Sequence, residues 1–244
     1  PDLMVAVAAP GVPIPRLPIG RGRPGTVEAG LGPAPGLPSL ATVAWFRGSP
    51  AALPVADTEV ITRTVRAGVD AGVPVVGVLG NLGIGTHAGV ASLHGWGSVS
   101  HALAAASGLV PTVLVVDGPC LGGPALLLGL ADVVVMTSRA QAFVNAPETS
   151  ARITGSAVLD ADLLGGSWVH GTRTGVADLV VDDLDAALDL VDDLLAHLPP
   201  NNHEPPPETH TLDPIDRPCS RAMAVVPSDR RASYDVRNVI TDLV

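Results

Sequence analysis

One run of this sequence, Val73–Leu79 (VPVVGVL), is apolar without interruption, and Pro111–Val116 (PTVLVV) and Val133–Thr137 (VVVMT) are apolar but for one Thr each. A strand with one wet face alternates apolar and polar residues. These do not, so each must be covered on both faces, as in a parallel sheet lying beneath helices. Helical spacing fills the gaps. Val60, Ile61, Thr64, Val65 and Gly68 recur on one face ahead of the first run, with Asp57 placed to cap and Gly72 to terminate. A second helix is expected after Gly89, up to about Gly108. The expectation is one α/β domain in which the three apolar runs are neighbouring, mostly parallel strands, each followed by a helix.

The remainder of the chain is less regular. Residues 1–54 hold 11 of the 24 prolines, and proline removes the N–H that an interior ladder needs. Residues 1–39 are therefore expected to form an irregular arm adding little to the core, with Leu40–Arg47 (LATVAWFR) a short strand. The main domain is expected over 40–198. Near its end Leu184, Leu188, Val191, Leu195 and Leu198 line one helical face, while Asp185, Asp189, Asp192 and Asp193 line the other, read as solvated. Residues 199–244 begin at a Pro-Pro pair and read as a Pro-rich segment and linker. Aromatics make up only 2% against 47% hydrophobic residues, so Val, Leu and Ala must build the core.

Charge and composition exclude several classes of partner. All 14 basic residues are Arg and the net charge is −10, which repels nucleic-acid phosphates. No apolar run approaches the roughly 20 residues of a membrane span. Cys120 and Cys219 have no metal spacing and form no disulfide framework, and no secretory signal is recognised; a cytoplasmic location is expected. His87, His94 and His101 recur every seven residues, roughly 10 Å apart along a helix, too far to share one ion. The acidic helix lacks the ligand spacing of a calcium loop. No metal is expected.

The most informative stretch is Asp117–Asp132, where a strand ends at Gly122-Gly123 and a helix opens. Such a corner is open to two readings. It is a structural glycine turn, or its unshielded backbone N–H groups, aided by the helix dipole, form an oxyanion hole for a thioester enolate. Pro124 has no N–H to add. Cys120 sits beside the pair with no base placed next to it, and reads as packing rather than as a nucleophile.

The order of several segments carries a family resemblance. GWGSVSHALAAASGLVPTVLVVDGPCLGGPALLLGLADVVVM at 95–136 is followed by AFVNAP at 142–147, LGGSWVH at 164–170, LAHLPPNN at 195–202 and VPSDRRASYDVRNVITDLV at 226–244. Over roughly 40–244 the chain resembles the N-terminal half of the carboxyltransferase β subunits of propionyl-CoA and acetyl-CoA carboxylases. The resemblance implies a crotonase-like ββα superhelix that binds acyl-CoA and stabilises its enolate while carboxybiotin, borne by a partner carrier protein, yields its carboxyl group. It implies that the amides of Gly122 and Gly123 polarise the thioester carbonyl, and that Gly83, Gly85, Cys120, Leu121, Ala146, Pro147, Gly165 and Gly166 line the substrate. His170 falls at a family position and is read as supporting a loop. Expected partners are a second carboxyltransferase domain or subunit, a biotin carboxylase with its carrier, and further copies in a trimer or hexamer.

The resemblance has gaps. Where the family has Asp-Ser-Gly-Gly-Ala-Arg-x-x-Glu-Gly, this chain has GNLGIGTHAG at 80–89, without the Arg and the Glu; Ala146 replaces a Gly, and Ser156 a Glu. The second domain is expected to lie outside this sequence, as in a fragment or split enzyme. Two rival readings therefore stay open: a non-catalytic subunit of a carboxylase complex, and a decarboxylase of malonyl-type thioesters.

Overall fold

The structure is a computed structural model and describes residues 17–21, 27–40, 42–48, 53–80, 83, 89–155, 160–208, 210–212, 214 and 216–243. Nine strands and nine α-helices are present among them: β1 (Leu17–Arg21), β2 (Glu28–Gly32), β3 (Val43–Arg47), α1 (Val55–Ala71), β4 (Val75–Leu79), α2 (Val90–Ala106), β5 (Thr112–Val116), β6 (Pro119–Leu121), α3 (Gly123–Leu127), β7 (Val133–Thr137), β8 (Gln141–Phe143), α4 (Pro147–Thr154), α5 (Ala161–Gly165), α6 (Ser167–Val169), β9 (Leu179–Val181), α7 (Leu184–Ala196), α8 (Ser220–Val225) and α9 (Arg237–Leu243). A π-helical turn, His170–Thr174, follows α6.

The main sheet has seven strands in the order β1-β2-β3-β4-β5-β7-β9. The three apolar runs are its centre: β4 pairs with β5 and β5 with β7, both parallel. Both faces are covered, which is why these strands do not alternate. Along β5, Leu114 and Val116 join the core cluster that contains α1 and α2, while Val113 and Val115 join the opposite cluster under α7. Each fully buried side chain of this size stabilises the fold by roughly 1.5–3 kcal/mol. β6 and β8 form a separate two-stranded parallel sheet, so β5 and β7 are each followed by a short strand before the next helix, and only β4 leads to its helix without an intervening strand among the described residues.

The N-terminal segment departs from expectation. β2 pairs in full register with β3, and Val27 and Leu37 are buried, so 27–40 belongs to the core rather than to an irregular arm. The reason is where the prolines fall: none lies in β2, and Pro18 lies in β1, the edge strand, where a missing ladder N–H is tolerated. Residues 1–16 and 22–26 lie outside the described residues.

Two helices also differ in detail. Gly72 ends α1 in the left-handed conformation as expected, but Pro54, not Asp57, stands at its N-cap. Asp57 is buried within the first turn, where desolvation raises its pKa above 3.8, partly offset by the Val27 backbone N–H. In α7, Asp192 is not on the solvated face: it is buried and accepts from the Ser39 backbone N–H at 3.1 and 3.2 Å. Its partner lies 153 residues away, beyond the reach of any local pattern.

The chain divides into two compact units, the first reaching Pro207 and the second spanning Glu208–Val244. The first runs past the Pro-Pro pair because Asn201 donates from Nδ2 to the Gly72 carbonyl at 2.9 Å and the Asn202 N–H donates to the Leu109 carbonyl at 2.9 Å. In the second unit, Arg217 donates to the Asp242 carbonyl at 2.8 Å and the Asp242 carboxylate accepts from the Ala222 N–H at 2.9 Å.

Candidate functional site

The candidate site stands at the carboxyl ends of β4 and β5, where ligands of open parallel sheets bind. The Asp117 N–H donates to the Leu79 carbonyl at 2.7 Å, closing the two strand ends together. Gly80 is required there, because any side chain would enter the Asp117 carbonyl. The Asp117 carboxylate accepts from Arg139 Nε at 2.8 Å and Nη2 at 2.6 Å, and from Thr137 Oγ1 at 3.0 Å. Arg139 holds the Asp117 pKa below 3.8 despite partial burial.

From this anchor the chain runs through β6 into the glycine pair. Gln141 N–H donates to the Gly118 carbonyl at 3.1 Å at one end of the small sheet, and Gly122 N–H donates to the Phe143 carbonyl at 2.8 Å at the other. Gly122 has φ 71° and ψ −125°, a conformation that L side chains rarely adopt, and a Cβ built on it meets none of the described residues within 4 Å. Among those residues the space beside it is open. Gly123 is the first residue of α3, followed by Pro124. First-turn amides have no intrahelical acceptor, and the Gly123 N–H has no acceptor among the described residues. Behind it lies the indole ring of Trp96, buried on α2. On another side, a Cβ on Gly83 would lie 2.7 Å from the Leu121 carbonyl, and the Gly83 carbonyl accepts from Leu53 N–H at 2.8 Å.

Residues 26–244 match the carboxyl transferase domain. The chain belongs to the carboxyl transferase domain family. It is 32% identical over 187 residues to the propionyl-CoA carboxylase carboxyltransferase subunit of Haloferax mediterranei, covering 76% of this chain and 36% of that protein. It is 33% identical over 186 residues to the methylmalonyl-CoA carboxyltransferase 12S subunit of Propionibacterium freudenreichii subsp. shermanii, covering 75% and 35%. A crystal structure of transcarboxylase 12S, described as a hexamer with hydrolysed methylmalonyl-coenzyme A bound, superposes with a TM-score of 0.78 at 28% identity, over 90% of this chain and 43% of that one. The fold is crotonase-like. The chain spans about a third of the length of these curated relatives.

Within this carboxyl transferase domain, the residues expected at the site divide into three groups. Gly122, Gly123, Leu121 and Gly83 come together at the corner. The expectation of two donated amides needs correction: the Gly122 N–H is spent on Phe143, leaving that of Gly123. Ala146 and Pro147, half-buried, open α4 just beyond β8. Cys120, Gly165 and Gly166 are buried in packing contacts. The Cys120 side chain is wholly buried and its thiol is pushed up to about 12 by desolvation, because β6 turns position 120 inward. Gly165 and Gly166 are buried against the Ala142 carbonyl and against Asp162, as packing contacts. Gly85, His87 and Ser156 lie outside the described residues, as does most of the loop that replaces the family's Arg and Glu.

His170 supports a loop, as expected. Its Nε2 lies 3.0 Å from the Ala142 carbonyl and its Nδ1 2.8 Å from Thr174 Oγ1. A carbonyl only accepts, so Nε2 carries the proton and Nδ1 accepts from the hydroxyl. Sequence reasoning missed the Asp117–Arg139 pair and Trp96. The first has no local signal, its partners being 22 residues apart; the second shows only as a large ring between Gly95 and Gly97.

A second cleft, of about 270 Å³, lies beside Trp168 and Asp178. Its polar groups are already committed: Ser138 Oγ donates to the Asp182 carbonyl at 2.7 Å, Thr172 Oγ1 to the Trp168 carbonyl at 2.6 Å, and Asp178 accepts from Val134 N–H at 2.8 Å. Among the described residues no cluster of His, Cys, Asp or Glu is arranged to hold a metal, and no helix is long and apolar enough to cross a membrane.

Proposed function

We propose that this chain forms the acyl-CoA side of a biotin-dependent carboxyltransferase. The observation that carries this reading is the Gly123 amide, without an acceptor among the described residues, at a helix start beside the space they leave open at Gly122, in a chain of the carboxyl transferase domain family. The thioester oxygen would occupy that space and accept from Gly123 N–H, which gains strength as the carbonyl becomes an enolate. Positive charge at the N-terminal end of α3 favours the same change. When present, carboxybiotin on a carrier subunit supplies the carboxyl group, and the released biotin takes up the α-proton; the residues holding it would come from a second carboxyltransferase domain or subunit. No protein carboxylate pair is then needed, in keeping with a corner built of backbone. A biotin carboxylase, its carrier and a trimeric or hexameric arrangement in the cytoplasm complete the proposal.

The test is incorporation of labelled bicarbonate into propionyl-CoA by this chain mixed with its second domain, biotin carboxylase and biotinylated carrier. Turnover that requires this chain is expected. Gly122→Val would fill the open space and keep the thioester oxygen from the Gly123 N–H, so it should reduce turnover at least a hundredfold, in line with the roughly 10²–10³-fold loss when one oxyanion donor is lost. Unchanged turnover with an intact assembly would assign the chain a purely structural role.

A further inference from the structure

We propose that Trp96 is the positioning residue of the Gly123 amide, its ring fixing the direction in which that N–H meets the acyl-CoA thioester oxygen; this rests on the carboxyltransferase reading above. The contact is intimate. A Cβ on Gly123 would stand 2.6 Å from Trp96 Cδ2 and closer still to Cγ and Cδ1, so the ring occupies the volume a side chain at 123 would need. Trp96 is only 6% exposed, and the helix beneath it is held. At the neighbouring Gly95 a Cβ would lie 3.1 Å from Thr58 Cβ, so α2 lies close against α1 at this level, and the Thr58 side chain is itself held within α1, its Oγ1 donating to the Val55 carbonyl at 2.6 Å. Across the corner, Gly83 presses on the Leu121 carbonyl. The segment leading to Gly123 is thus confined from two sides, and Trp96 is the side chain that confines the donor itself.

Polarity does not explain a tryptophan here. Trp96 Nε1 is buried with no acceptor among the described residues, a state that destabilises a fold, so it is the shape of the ring that the site uses. Direction matters because the Gly122 N–H is already bonded to Phe143, leaving one amide whose aim decides the stabilisation. A misplacement of about 1 Å costs a reaction up to roughly a hundredfold.

The experiment uses the reconstituted carboxylase with propionyl-CoA as substrate. Trp96→Ala should lower kcat roughly 10- to 100-fold while KM for propionyl-CoA changes little. Trp96→Phe should recover most of that loss, because the atoms nearest Gly123 are Cγ, Cδ1 and Cδ2, which phenylalanine retains. Thermal unfolding gives a readout independent of turnover: Gly123→Ala and Trp96→Ala should each lower Tm, and the double variant should lose less than the sum of the two, since they share one volume. Trp96→Phe no better than Trp96→Ala, a loss confined to KM, or additive Tm changes would overturn the proposal. A wild-type complex that fixes no carbonate onto propionyl-CoA would sink the carboxyltransferase reading as well, whereas an active wild type with a flat Trp96 series sinks this inference alone.

Discussion

Leu121-Gly122-Gly123 and Leu164-Gly165-Gly166 read as the same tripeptide, yet they do opposite things on either side of β8. Gly122 stands at positive φ with open space, among the described residues, where a side chain would be. Gly165 has ordinary backbone angles and no space at all: a Cβ there would lie 2.5 Å from both the Ala142 carbonyl and Phe143 Cε1. In the first pair, Gly122 is glycine for its backbone conformation and Gly123 for the Trp96 ring that fills the place of a side chain. The second is glycine so that α5 can close on β8. The two are coupled through that strand, since the Phe143 carbonyl that accepts from Gly122 belongs to the residue whose ring rests on Gly165. A Gly-Gly pair in a chain of this kind therefore announces function only when its conformation and its surroundings are both known.

The largest effect that would break this contrast is on the packed pair. Gly165→Val pushes atoms into a backbone carbonyl that cannot swing away, and should cost about 3 kcal/mol, the upper range of overpacking. A shift of the denaturation midpoint in urea measures it. A variant as stable as wild type would mean that the close approach of α5 to β8 is not fixed. Gly122→Ala should cost less, about 1–2 kcal/mol, because only backbone strain opposes it and none of the described residues is struck. If Gly122→Ala proved the more damaging of the two, the space beside it would have to be filled rather than open.

The same contrast shows what the sequence makes legible. The three apolar runs appear as neighbouring parallel strands because burial on both faces leaves a continuous signal that needs no knowledge of partners. The end of α1 at Gly72 is likewise local. The corner's location was legible too, from a strand end, two glycines and a helix. Its hydrogen bonding was not, since the fate of the Gly122 amide depends on the register that sets Leu121 against Phe143. The burial of Cys120 is not legible either, because proximity in sequence says nothing about which way a three-residue strand turns its side chains. Val27 and Leu37 were lost for a different reason: average composition across 1–54 hid the proline-free β2 within it.

The smallest expected effect concerns how the open pair is held, and it sharpens the contrast electrostatically. The Gly165 corner is fixed by steric contact, which pH does not alter, whereas the Gly122 corner begins at Asp117, whose carboxylate is bound by Arg139. The Arg139 side chain is 69% exposed and that of Asp117 10%, so solvent weakens the pair and its contribution is modest. Its sign is definite. Because Arg139 lowers the Asp117 pKa below 3.8 in the folded chain, the stabilisation is fully present above that ordinary value and is lost as pH falls through the lower folded one. Arg139→Ala should therefore be slightly less stable than wild type at neutral pH, with the gap closing on acidification below 3.8. Thr137 Oγ1 still holds Asp117 in that variant, so the fold should persist. Paired melting curves from neutral to acid pH report the gap directly. A gap independent of pH would show that Arg139 holds the corner by packing rather than by charge, and the two glycine corners would then be fixed in the same way.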